Sequence, residues 1–126
     1  MAIIGIGTDI VEISRIKSVY KKYPRGFTDR VLHKNELKIL KKHQSPAVFL
    51  AKRFAAKEAL AKALGTGIAK GVSFKHIEIS NSEHGQPVLI LHDETLEIAN
   101  KLGVKNNFIS LSDEKKYAIA YVILES

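Results

Sequence analysis

Phe49-Leu50-Ala51-Lys52-Arg53-Phe54-Ala55-Ala56-Lys57-Glu58-Ala59-Leu60-Ala61-Lys62-Ala63-Leu64-Gly65-Thr66-Gly67 is the stretch around which the chain is organised. Alanine and leucine fill it and no proline interrupts it, so it reads as a strong helix. Ser45 is placed as its N-cap, Pro46 at the first helical position, and Gly65 where a left-handed C-cap belongs. At 3.6 residues per turn Phe49, Ala56, Ala59, Leu60 and Ala63 make an apolar face. Phe54, Glu58 and Lys62 follow one another along a second stripe, flanked by Arg53 and Lys57. One carboxylate thus stands among cations on a helix that also packs into a core, an arrangement suited to a metal ion and phosphate groups. The plainer reading of Glu58 and Lys62 is an i, i+4 ion pair on a solvated face, worth a few tenths of a kcal/mol.

Outward from that helix, the 126-residue chain is the size of one domain, residues 1–126. It has no cysteine, which excludes disulfides and thiolate chemistry and fits a reducing, cytoplasmic setting. No apolar run approaches the roughly 20 residues of a membrane span, so a soluble protein is expected. The net charge of +7 is unevenly spread. From Arg15 to Lys75, 16 Lys or Arg stand against the three acids Asp29, Glu36 and Glu58, a net of +13. Such a field steers polyanions to one side of the molecule, and nucleic acid, a nucleotide cofactor or an acidic protein all qualify.

Ala2 to Val11 is an apolar, β-branched run readable as a buried strand. In strict alternation Ile4, Ile6, Thr8 and Ile10 share one face, and Gly5, Gly7, Asp9 and Val11 the other. The glycines clear space beside Asp9, a carboxylate that is costly to bury unless it is paired or metal-bound. Capping the following helix is the alternative role for Asp9. Glu12 to Tyr23 has helical spacing and ends at Pro24 and Gly26; Phe27 to Leu32 reads as a short helix or turn, and Lys34 to Lys42 as a basic helix. After Gly67 the period changes to two. Val72 to Ser80 is a strand with a register change near Lys75, and Val88 to Leu91 returns as a hairpin partner. Asp93 is placed as the cap of a helix to Leu102 with Leu96, Ala99 and Leu102 inward. Phe108 to Leu111 and Tyr117 to Leu124 complete the strands, for an α+β fold. The five histidines show no metal-ligand spacing and read as surface or capping residues.

Gly7-Thr8-Asp9-Ile10-Val11-Glu12 followed by Arg53-Phe54-Ala55-Ala56-Lys57-Glu58-Ala59, Lys62-Ala63 and Gly65-Thr66-Gly67 resembles the small, holo-[acyl-carrier-protein] synthase branch of the 4′-phosphopantetheinyl transferases. The resemblance extends through Gly85-Gln86-Pro87 to Ser110-Leu111-Ser112 and Tyr117-Ala118-Ile119-Ala120. It implies helices packed on a small, mainly antiparallel sheet, in a homotrimer with active sites between subunits. The implied activity moves the phosphopantetheine arm of coenzyme A to a serine of apo acyl carrier protein, in fatty acid biosynthesis. By position, Asp9 and Glu58 match the ligands of Mg2+, and Lys62 a lysine acting at the pyrophosphate. Arg53, Lys57, Lys62, Gly65, Thr66 and Gly67 match the coenzyme A site. Arg15, Lys22 and Arg25 match the surface for the acidic carrier protein.

Magnesium commonly takes one or two protein carboxylates and leaves the remaining positions to phosphate and water, which suits one Asp on a strand and one Glu on a helix. In one respect the chain departs from the family: Asp113 stands where many members have a histidine after the Ser-x-Ser. Roles of that histidine therefore do not carry over, and a metal-bound water is the favoured proton acceptor. Two rivals fit the charge. A small basic nucleic-acid-binding module leaves Asp9 and Glu58 without a role and lacks a recognised signature; a nucleotide-binding protein without catalysis would bind coenzyme A and not turn it over.

Overall fold

Ile3–Glu12 form strand β1 and Pro46–Leu64 form helix α4, and the two pack backbone against backbone at Gly5 and Gly7. The computed structural model describes all residues, Met1–Ser126. Between β1 and α4 come three short helices, α1 (Ile13–Lys22), α2 (Pro24–Val31) and α3 (Lys34–Leu40). After α4 follow a single 3-10 turn (Phe74–His76), β2 (Ile77–Asn81), β3 (Pro87–Leu91), α5 (Asp93–Lys101), β4 (Asn106–Asp113) and β5 (Tyr117–Glu125). The strands make an antiparallel sheet of order β1-β5-β4 and a separate β2-β3 hairpin. This is the expected α+β architecture.

Helix α4 packs across β1 and β5, with α1 and α3 against it as well. Its alanines allow the approach. A Cβ at Gly5 would run into the carbonyl oxygen of Ala63, and one at Gly7 into that of Ala59. The face of β1 that carries Gly5, Gly7, Asp9 and Val11 is therefore the one turned to α4. The other face is open: Ile6 is 57% and Ile10 60% exposed, beside Phe108, Ile119 and Tyr121 of the neighbouring strands. The reading of β1 as buried holds for one side only.

Pro24 does not simply end the first helix. It opens α2, where the first position needs no N–H, and Gly26 lies inside that helix. The register change near Lys75 is the 3-10 turn, so the strand begins only at Ile77. In α5 the cap position falls on His92, and Asp93 is the first helical residue with φ 52°. Its inward face is Thr95 and Ala99, while Leu96 and Leu102 are exposed. Thr95 is drawn in because its hydroxyl accepts from the Ser73 N–H at 3.3 Å.

A buried ionic cluster joins these pieces. Glu36, fully buried on α3, accepts from Lys57 Nζ at 2.5 Å and faces Arg53 Nε at 3.3 Å. Its remaining capacity takes the backbone N–H groups of His33 and Ile79. Lys57 Nζ also donates to the carbonyls of Val31 at 2.6 Å and Phe74 at 3.1 Å, so all three ammonium protons are used. Burial pushes the Lys57 ammonium down to about 8, with the Glu36 charge pulling the other way. The Arg53 guanidinium, lowered by the same burial, lies 4.3 Å over the Phe49 ring. Removing one member of such a set strands the others, at a cost of about 3–5 kcal/mol.

The β1–α4 contact gives a direct test. Gly7→Ala puts a methyl group against backbone on the facing helix, where overpacking costs about 1–3 kcal/mol or more. A urea melt of this variant should show a midpoint well below that of wild type, while Gly85→Ala, in an open turn, should lose less.

Candidate active site

The same close packing brings three of the expected site residues together. Asp9 lies in the middle of β1, opposite Ala120 of β5, and its carboxylate emerges beside α4. Lys62 Nζ, on the last turn of α4, donates to Asp9 Oδ1 at 3.0 Å and to the Thr8 carbonyl at 3.0 Å. Asp9 is thus not a cap: α1 starts after Glu12, whose side chain instead accepts from Ser14 Oγ at 2.7 Å. Glu58 stands one turn before Lys62. Burial raises its carboxyl above the usual range, the Asp9 charge raises it further, and Lys62 and Arg30 partly offset both.

Asp9 and Glu58 open into a cleft of about 550 Å³ between β1, α1, α2 and α4. Its floor is apolar, including Ile16, Phe27 and Phe54, and its rim carries Glu12, Arg15 and Arg30. Two neighbouring carboxylates, with the charge of Asp9 raising the Glu58 carboxyl and cations set around them, are a hard-oxygen donor set that fits a small divalent cation. They also leave room for anionic groups of a reactant.

The other expected residues fall elsewhere. Gly65, Thr66 and Gly67 form the turn that ends α4, with φ 83° at Gly65 and 65° at Gly67, and Thr66 Oγ1 donates to the Gly67 carbonyl at 2.8 Å. Lys22 and Arg25 are exposed at the α1–α2 junction, with the Lys22 ammonium 5.5 Å from the Tyr23 ring centroid. Arg53 and Lys57, expected at the coenzyme A site, are turned inward to Glu36. One residue along α4 is about 100° of rotation, enough to put Lys57 in the core while Glu58 faces the cleft.

Asp113 pairs with Lys52 Nζ at 2.9 Å, which occupies its carboxylate. Two of the histidines stand at helix caps, His33 at α3, where its side chain accepts from the Asn35 N–H, and His92 at α5. His33 stacks on His92 with centroids 4.6 Å apart, and both face Glu78 Oε1, at 3.7 and 2.9 Å. Burial pushes the Glu78 carboxyl up, yet hydrogen bonds from His92 and Asn35 and the charge of both histidines hold it below its ordinary value. The two imidazole planes are only 13° apart, so their in-plane lone pairs cannot converge on one metal ion. Arg30 and Glu36 were not singled out from the sequence; the only trace of either is the scarcity of acids in the basic segment.

Residues 5–122 match the family described as the 4′-phosphopantetheinyl transferase superfamily. The chain belongs to that superfamily. A holo-[acyl-carrier-protein] synthase of Escherichia fergusonii is 54% identical over all 126 residues, covering 100% of both chains. The crystal structure of such a synthase from Neisseria meningitidis has a TM-score of 0.94 at 40% identity, over 99% of this chain and 100% of that one. One from Helicobacter pylori, in complex with coenzyme A, has a TM-score of 0.84 at 34% identity, over 95% and 99%. The match spans both the β1 stretch around Asp9 and the α4 stretch around Glu58 and Lys62.

The raised Glu58 carboxyl has a consequence for stability. A group whose folded pKa lies above its unfolded value costs stability once pH rises above the unfolded value, because it must ionise in an unfavourable place. Glu58→Gln should therefore melt at a higher temperature than wild type in a chelator at pH 7.5. Magnesium should raise the wild-type melting temperature and leave that of the variant nearly unchanged.

Proposed function

We propose that this phosphopantetheinyl transferase acts on coenzyme A and apo acyl carrier protein, with Mg2+ held by Asp9 and Glu58. The carrier serine oxygen gives up its proton to water and forms a bond to the β-phosphorus, and the bond from that phosphorus to the bridging pyrophosphate oxygen breaks. Adenosine 3′,5′-bisphosphate leaves with the electron pair, and the phosphopantetheine arm stays on the serine. The observation that carries the reading is that Asp9, held by Lys62, and Glu58 share one cleft with Arg15 and Arg30 on its rim.

A bound magnesium ion supplies positive charge to the pyrophosphate oxygens as the bond breaks. The chain's own groups do the rest. Lys62, half-exposed, can turn its ammonium from Asp9 to a phosphate oxygen without leaving the site. Arg15 and Arg30 on the rim attract anionic groups, either phosphates or carrier-protein carboxylates. Lys22 and Arg25 extend that positive surface along the adjoining helices, and the Gly65-Thr66-Gly67 turn offers backbone to the cofactor. The exposed apolar sheet face with Ile6, Ile10 and Phe108 supports a homotrimer, because such a patch costs less when covered. No helix is long and apolar enough to cross a membrane. A cytoplasmic place in fatty acid biosynthesis follows from the proposed substrates.

Intact-mass analysis of apo acyl carrier protein incubated with the protein, coenzyme A and magnesium should show the gain of one phosphopantetheine. The gain should vanish with a chelator and fall at least a hundredfold in rate for Glu58→Gln, given the charge stabilisation lost. A carrier protein left unmodified, or modified equally in chelator, contradicts the reading. Light scattering at micromolar concentration should give three times the 14.0 kDa chain mass; a monomer refutes the trimer.

A further inference from the structure

We infer that Lys57 is a positioning residue of the active site, setting where Arg30 stands on the cleft rim. The inference rests on the transfer reaction proposed above and concerns a group that touches no reactant. Two separate links run from the Lys57 ammonium to Arg30. The first is its hydrogen bond to the carbonyl of Val31, the residue directly after Arg30 at the end of α2. The second is its bond to the carbonyl of Phe74, whose ring lies 5.8 Å beneath the Arg30 guanidinium. Backbone on one side and ring on the other thus both hang on one buried donor.

The rim held this way is the one over the carboxylates. Arg30 shares the cleft with Asp9 and Glu58, and its charge acts on Glu58. The Phe74 ring continues the row Phe54 and Phe27, stacked with centroids 5.3 and 6.3 Å apart, and those two rings line the cleft floor. Helix α2 is only eight residues long; its C-terminus is anchored by Val31 and Leu32 in the core, and the Lys57 bond to the Val31 carbonyl is the charged hydrogen bond that joins it to α4. Without Lys57 the Val31 carbonyl loses a charged donor, and the already exposed Arg30 guanidinium loses its fixed place over the Phe74 ring. A hydrophobic core contact could hold α2 in place but could not fix its rotation as a directed hydrogen bond does.

The test is a double-mutant cycle on the full-length protein with apo carrier protein, coenzyme A and magnesium, following kcat and KM for each reactant. Lys57→Met keeps the side-chain length, and Glu36 keeps Arg53 and two backbone donors, so the fold has support. Lys57→Met and Arg30→Ala should each lower kcat/KM about tenfold, chiefly through KM of the same reactant. The double variant should be no worse than Arg30→Ala alone. Losses that multiply, a change in kcat alone, or wild-type kcat/KM with only a lowered melting temperature would overturn the inference. If Lys57→Met does not fold, Lys57→Gln, which is neutral and leaves Glu36 its pairing with Arg53, is read by the same criteria. Wild type with no transfer at all would instead refute the proposed reaction.

Discussion

Two glycines on β1 lie against the backbone of α4, and the geometry of the cleft depends on that contact. A strand and a helix usually pack through layers of side chains. Here Gly5 and Gly7 meet the carbonyls of Ala63 and Ala59 directly, which draws the strand one side-chain layer closer. Asp9, two residues on along the same face, is carried with it into reach of Lys62 and the field of Glu58. Larger residues at either glycine would push the carboxylates apart before altering any residue of the cleft itself. The site is therefore specified by small residues that carry no chemistry.

The second constraint is electrostatic. Helix α4 presents ionisable groups on opposite sides, and the protein treats them differently. Glu58 and Lys62 remain at the cleft, where charge can meet a cation or phosphate. Arg53 and Lys57 are buried, and only the fully bonded Glu36 makes that tolerable. Glu36 lies on α3, so its pairing draws the short helices and the hairpin onto α4. A cluster of this kind contributes modest net stability compared with an apolar core, but it fixes which residues of α4 face which neighbour.

Much of this was legible in the sequence. The alanine-rich run from Ala51 to Leu64 and the glycine cap at Gly65 specify α4 through local propensity alone. The alternation of Gly5, Gly7, Asp9 and Val11 defines one face of β1, and the motif pair marks Asp9, Glu58 and Lys62. What local pattern could not show was the destination of side chains that depend on distant partners. Lys57 and Glu58 are adjacent in sequence and both charged, and nothing local says that one meets Glu36 of α3 and the other a cleft. Pro24 ends one helix and begins another with the same chemistry. Leu96 and Leu102 have the composition of an inward face, yet Thr95 takes that place because its hydroxyl has a partner in Ser73. His33 and His92, 59 positions apart, meet only through the tertiary fold.

The proposed magnesium site needs one carboxylate from β1 and one from α4. Electron paramagnetic resonance titration of Mn2+ against the metal-free protein tests it without requiring a substrate. One tight Mn2+ per chain in wild type, displaced by excess Mg2+ and lost in both Asp9→Asn and Glu58→Gln, is the predicted result. Binding that survives loss of either carboxylate would place the cation elsewhere and contradict the account.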